Sequence, residues 1–285
     1  MLCFNSYAQT DSLPAQDSSF SQAGFNSYNS YEAKKERPEP VYRLKPKVDI
    51  PVTIAAVAWD IFAFGKIYSK ESSDINQINN LRIEDINGFD RWAADVYHEK
   101  AATSSDYFFY GSMPLPLVLM LDKDIRKDAA KIGFLYLETM ALTGVLYTGA
   151  NFFNDRFRPY AYNPNAPLND RLEGGAKNSF FAGHVALVGT ASFFTAKVFA
   201  DYNPDSKLRH LLYALATTAT VGTGYLRHRG GKHFPSDIVI GTAVGTLSGI
   251  LVPHWHKNKD PRKNAVSLLP YFGGGRPGVA MVYKF

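Results

Sequence analysis

Tyr225-Leu226-Arg227-His228-Arg229-Gly230-Gly231-Lys232-His233-Phe234-Pro235-Ser236-Asp237 is the stretch around which this chain is organised. Arg227 precedes His233 by six residues, and Asp237 follows it by four. Pro235 suits the first turn of a helix, where its missing N–H costs nothing. The apolar run Ile238–Val252 follows. This predicts that His233 lies just ahead of a helix and Asp237 inside its first turn. A carboxylate there can reach back over the helix start, as in a capping box. Asp237 is therefore expected to hold one imidazole nitrogen of His233 and leave the other free. A histidine so oriented, beside a fixed cation at a helix end that favours anions, suits phosphate chemistry. Taken alone, the segment reads equally well as a loop histidine followed by a capping aspartate.

Two other segments change that balance. Arg156-Phe157-Arg158-Pro159 follows one apolar run, and Ser179-Phe180-Phe181-Ala182-Gly183-His184 leads into the next. The runs themselves are Ile50–Tyr68, Tyr107–Leu121, Ile132–Phe153, Phe180–Phe199, Leu211–Leu226 and Ile238–Val252. They lack period-two alternation and are rich in Ala, Leu, Gly and Thr, which predicts six helices. Asn76–Asp95 is a candidate for one more amphipathic helix. In an antiparallel bundle, the end of the third helix, the start of the fourth and the link between the fifth and sixth share one end. Topology thus gathers Arg158, His184, Arg227, His233 and Asp237.

The chain resembles the type 2 phosphatidic acid phosphatase superfamily, which includes bacterial class A acid phosphatases and vanadium haloperoxidases. That family carries Lys-x6-Arg-Pro, Pro-Ser-Gly-His and Ser-Arg-x5-His-x3-Asp. Arg158-Pro159, Gly183-His184, Arg227, His233 and Asp237 match these motifs, and the resemblance covers roughly residues 48–256. It implies that His233 attacks phosphorus, Asp237 orients its imidazole, and His184 protonates the leaving alkoxide and then activates water. It also implies that Arg158, Arg227 and the Gly183 N–H bind the phosphate oxygens, that no metal or other cofactor is required, and that vanadate can occupy the same pocket. The family's lysine, Pro-Ser and serine positions hold Asn151, Phe181-Ala182 and Leu226. Losing one such donor costs about 2.7–4 kcal/mol. Arg156 is the expected replacement for the lost charge, with Lys177 and Lys232 as alternatives.

The resemblance implies an all-α, antiparallel bundle of about six core helices and a phosphatase acting on a phosphomonoester or pyrophosphate of a lipid or lipid-linked substrate. The alternatives are a vanadate-dependent haloperoxidase and a catalytically degenerate envelope protein that binds phosphorylated lipid.

Composition sets outer limits. Of the 285 residues, 46% are hydrophobic, ample for a core, and the net charge of +5 comes without a long basic run. Nucleic acid is therefore not the expected partner, whereas an anionic lipid surface or a phosphorylated substrate is. The single cysteine, Cys3, excludes an intrachain disulfide or a thiolate zinc site. Ser6 and Ala8 suit a signal-peptidase cut after Ala8 in a start truncated from a longer precursor. Residues 1–47 read as signal remnant and disordered leader, residues 48–258 as the phosphatase domain, and residues 259–285 as a tail. In that tail, Ala265–Tyr271 and Val279–Phe285 flank Gly273–Gly275 as a β-hairpin.

Asp60, Glu138 and Lys197 interrupt the first, third and fourth apolar runs, Pro114 and Pro116 break the second, and the mean hydropathy is −0.19, so the runs fit a membrane bundle or a water-soluble one. If all six crossed, the loops with Lys123–Lys131 and Lys207–Arg209 would be cytoplasmic. The site would then face the periplasm of a bacterial envelope, a placement that conflicts with a cleaved signal peptide. His98, His210, His254 and His256 are expected at surfaces or helix ends, with His228 noted for its place beside Arg227. Glu138 is expected to be a buried, satisfied acid, and Asp122–Asp128 a solvated loop.

Overall fold

The computed structural model describes residues 40–258 and the backbone of 266–273 and 276–283. Among the described residues the helices are α1 (Pro46–Tyr68), α2 (Ile75–Asn79), α3 (Glu99–Ser112), α4 (Lys123–Lys127), α5 (Ala129–Phe152), α6 (Leu168–Leu172), α7 (Gly183–Tyr202), α8 (Leu208–Arg229) and α9 (Pro235–His256). The long ones form an all-α bundle. Val266–Gly273 pairs antiparallel with Arg276–Tyr283. The expected signal remnant and the leader up to Glu39 lie outside the described residues, as do the side chains of the expected hairpin.

α7 is apolar nearly all round, and a helix of that kind belongs in the middle of a bundle. Val185, Val188, Ala191, Phe194 and Val198 are fully buried, and α3, α5, α8 and α9 pack around them. The α7–α9 contact sets the position of the site. Gly241, Gly245 and Gly249 recur every four residues on one face of α9. A Cβ at any of them would overlap the backbone of Ala182, Ala186 or Thr190 on α7. This small-residue seam lets the two backbones approach closely. Where it ends, the Ala182 N–H donates to the Asp237 carbonyl at 3.0 Å.

Three expectations need correction. The Tyr107–Leu121 run is not one helix: α3 begins earlier, with His98 accepting from the Ala101 N–H, and ends at Ser112. A 3₁₀ segment, Leu115–Leu121, follows, because Pro114 and Pro116 cannot continue the α-helical ladder. Asn76–Asp95 breaks into α2 and two short 3₁₀ turns. Asp122–Asp128 is structured, with Asp122 capping α4 through the Asp124 and Ile125 N–H groups at 2.8 and 3.2 Å.

Among the described residues four helices, not six, are long and apolar enough to cross a membrane: α1, α5, α7 and α9. At 14 residues, α3 falls short of the ~20 that a span requires. α8 carries Arg209, His210, Arg227, His228 and Arg229 among its threonines.

Candidate active site

The site is built where α5 and α8 end and α7 and α9 begin. His233 precedes α9, Pro235 is its first residue, and Asp237 lies in its first turn. Asp237 reaches back to the Phe234 N–H at 2.9 Å, as its position predicts.

The expected Asp237–His233 hydrogen bond is absent. His233 Nδ1 faces the Ser179 carbonyl oxygen at 2.7 Å. The Asp237 carboxylate is satisfied elsewhere, by Ser179 Oγ at 2.7 Å and Arg156 Nη1 at 2.5 Å. Both Asp237 and Ser179 are fully buried. Asp237 therefore reaches His233 through Ser179: it tethers the residue whose carbonyl orients the ring. A carbonyl only accepts, so Nδ1 carries the proton and Nε2 is left with the lone pair.

Arg156 is not a free phosphate ligand. Its guanidinium pairs with Asp90 at 2.6 Å and with Asp237, and donates to Ser236 Oγ at 3.1 Å. The extended chain around it is strapped to the opposite side of the long loop. The Arg156 N–H bonds to the Lys177 carbonyl at 2.9 Å, and the Ser179 N–H returns to the Arg156 carbonyl at 3.0 Å. Lys177 is also committed, donating to the Glu71 carbonyl at 2.9 Å.

Arg158, Arg227, Lys232, His184 and His233 lie within electrostatic reach of one another. The Arg158 side chain has no hydrogen bond among the described residues, and its buried Nε is unpartnered, as is that of Arg227. Lys232 rests over the Tyr160 ring, 4.7 Å from its centroid. Burial, then Arg158 and Arg227, push its pKa down to about 8. Burial and the same two arginines hold His233 well below the usual histidine range, so its imidazole is neutral at neutral pH. Gly231, at φ 67°, forms the turn that presents these two residues, and its carbonyl accepts from the Tyr160 N–H at 3.0 Å. Only glycine takes that conformation readily.

Gly183 opens α7, and a Cβ there would overlap the Tyr147 ring. His184 packs on Phe109, with centroids 4.5 Å apart. Asp106 of α3 was not among the residues singled out from the sequence. Its Oδ1 lies 3.2 Å from His184 Nε2 and 3.5 Å from Arg227 Nη1, joining the two. Asp90, fully buried behind Arg156, also went unrecognised. His228 turns away onto Trp92, at 5.2 Å between ring centroids. Asn151 is fully buried and donates to the Tyr147 carbonyl at 3.0 Å.

Two arginines with unpartnered Nε atoms and Lys232 thus gather with two histidines at a helix start, a cationic cluster of a kind that suits an oxyanion. Residues 132–261 match the model of the PAP2 superfamily. Among solved structures, the chain is similar to LpxE from Aquifex aeolicus (22% identity, 60% of this chain and 98% of that one, TM-score 0.41). It is also similar to a transmembrane PAP2-type phosphatidylglycerolphosphate phosphatase from Bacillus subtilis (19% identity, 71% and 94%, TM-score 0.41). No curated protein matches the chain.

Proposed function

We propose that the chain is a phosphatase that hydrolyses a phosphate monoester or pyrophosphate on a lipid or lipid-linked substrate, through a phosphohistidine at His233. The observation that carries the proposal is His233 itself: neutral, buried, its Nδ1 fixed on the Ser179 carbonyl, beside two arginines whose Nε atoms have no partner.

In the first step Nε2 of His233 forms a bond to phosphorus. The bond from phosphorus to the leaving oxygen breaks, and its electron pair goes to that oxygen, which takes a proton from His184 Nε2. In the second step His184 accepts a proton from water as the water oxygen attacks phosphorus. The N–P bond then breaks and returns its pair to Nε2. Arg158, Arg227 and Lys232 bind the non-bridging oxygens, whose charge grows in the transition state. The Gly183 N–H, at the start of α7, adds a donor. Lys232 fills the place of the motif lysine that Asn151 lacks. Asp106 accepts from His184 when Nε2 carries the proton.

A lipid substrate is supported by the bundle's outer surface. Ile54 and Ile61 on α1, Leu137 and Leu146 on α5, and Leu247 on α9 are exposed on helices apolar enough to span a bilayer. Exposed apolar surface on this scale marks contact with a membrane or partner. The end of the bundle away from the site carries Arg43, Lys45, Lys47, Lys123, Arg126, Lys127 and Lys131, which supports a reading with that end in the cytoplasm and the site in the periplasm of a bacterial envelope. In whole cells, a membrane-impermeant maleimide should label Asn165→Cys and spare Ser206→Cys; the reverse pattern would invert the topology.

Phosphate release tests the activity. The purified chain in detergent should release phosphate from lipid phosphates faster than from a soluble aryl phosphate, and His233→Ala should abolish release from both. Equal turnover by parent and variant would refute the proposal. Binding of phosphate or vanadate without turnover would identify a degenerate binding protein instead.

A further inference from the structure

At the other end of the bundle, about 30 Å from His233 along α9 at ~1.5 Å per residue, three side chains meet that the phosphatase chemistry does not use. They are Asp49 in the first turn of α1, Glu138 inside α5 and His256 at the end of α9. We propose that Asp49, Glu138 and His256 form a binding site for a divalent transition-metal cation of the Zn²⁺ type, clamping α1, α5 and α9 together.

One ligand atom from each residue lies within 4.8 Å of the other two. His256 Nε2 is 3.4 Å from Asp49 Oδ2 and 3.5 Å from Glu138 Oε2. The tautomer argument gives these distances meaning. His256 Nδ1 lies 2.9 Å from the Val252 carbonyl, which can only accept, so the proton sits on Nδ1. Nε2 then presents a lone pair to two carboxylate oxygens that also have only lone pairs. A second proton on Nε2 would draw a carboxylate in to ~2.7–2.9 Å as a charge-assisted hydrogen bond, and no hydrogen bond spans either gap. Donors bound tetrahedrally at ~2.0–2.1 Å lie about 3.3–3.4 Å apart, close to the two separations from His256 Nε2.

Burial supplies an independent sign. Glu138 is only 4% exposed, and its Oε2 has no hydrogen-bond partner. It does not behave as the satisfied buried acid expected from the sequence. One turn along α1 from Asp49, Thr53 Oγ1 is also buried and unpartnered. Two buried carboxylates are costly without a counter-charge, and a divalent cation would neutralise the pair. The supports that usually surround metal ligands are also present. A backbone carbonyl fixes the histidine ring, and the Lys45 N–H donates to Asp49. An imidazole among the ligands favours Zn²⁺ and its neighbours over Mg²⁺ or Ca²⁺. At about 30 Å from His233 the site lies beyond the reach of the phosphatase chemistry, so its role is structural.

Metal binding can be read without activity. The full chain, stripped with EDTA and titrated with Zn²⁺ in detergent, should retain about one equivalent after gel filtration. Its unfolding midpoint should rise with Zn²⁺ and not with Mg²⁺. His256→Gln and Glu138→Gln should lose that equivalent, and His233→Gln should keep it. Co²⁺ added to the unsubstituted chain should give the visible absorption of a tetrahedral site, a readout independent of whether the variants fold. No retained Zn²⁺ and no Co²⁺ spectrum would overturn the proposal. So would an equivalent of Zn²⁺ that survives His256→Gln and Glu138→Gln but is lost in His233→Gln.

Discussion

The Nδ1 atom of His233 lies 2.7 Å from the carbonyl oxygen of Ser179, and this contact, not one with Asp237, orients the ring. Asp237 holds Ser179 by its hydroxyl. Ser179→Ala removes that tether and leaves the carbonyl in place. A hydrogen bond to a charged group contributes about 1.5–3 kcal/mol. Ser179→Ala should therefore slow phosphoenzyme formation by roughly tenfold or more while substrate affinity is retained, as separated by single-turnover kinetics. A pure loss of affinity would show that Ser179 contacts substrate instead.

Arg156 neutralises two fully buried carboxylates, Asp90 and Asp237. Removing one partner of such a network leaves uncompensated buried charge, at about 3–5 kcal/mol. Arg156→Ala should lower the denaturation midpoint by that equivalent. A midpoint matching the parent would mean that the pairs are solvated and weak.

Lys232 titrates at about 8 in the free protein, depressed chiefly by burial and then by Arg158 and Arg227. Its charge, and with it the proposed phosphate contact, is present below that pH and lost above it. The value of kcat/KM, which reports the free enzyme, should therefore fall as pH rises through about 8. Lys232→Arg keeps its charge and should flatten this limb. An unchanged limb in Lys232→Arg would assign it to another group.

Asp106 stands between His184 and Arg227. In the proposed mechanism its carboxylate competes with phosphate for Arg227 and faces His184 Nε2 at 3.2 Å. Asp106→Asn should bind inorganic phosphate or vanadate more tightly while kcat falls by about tenfold, the scale of one lost charge-assisted contact. A rise in KM together with unchanged kcat would contradict this arrangement.

How much of this was legible follows from the kind of signal each residue carries. Arg158, His184, Arg227, His233 and Asp237 could be grouped from the sequence because they sit at fixed spacings beside helix ends that bundle topology brings together. The reach of Asp237 to the Phe234 N–H followed from its place in the first helical turn. The true partner of His233 is a main-chain carbonyl, which every residue has and no sequence pattern marks. Asp90 and Asp106 are single acids in polar stretches, brought to the site only by tertiary packing. Arg156 misled because its spacing from Arg158 suggests a shared target, whereas the buried Asp90 claims it. The break of the second apolar run at Pro114 and Pro116 was legible, because proline backbone chemistry overrides an apolar composition; its earlier start at Glu99 was not.

The central claim is that His233 Nε2 becomes covalently phosphorylated. Rapid quenching of the chain with a lipid substrate carrying radiolabelled phosphate tests this directly. An acid-labile, alkali-stable phosphoenzyme that maps to His233 and is absent from His233→Ala is the predicted result. Turnover of that substrate with no trapped intermediate, undiminished in His233→Ala, would contradict it.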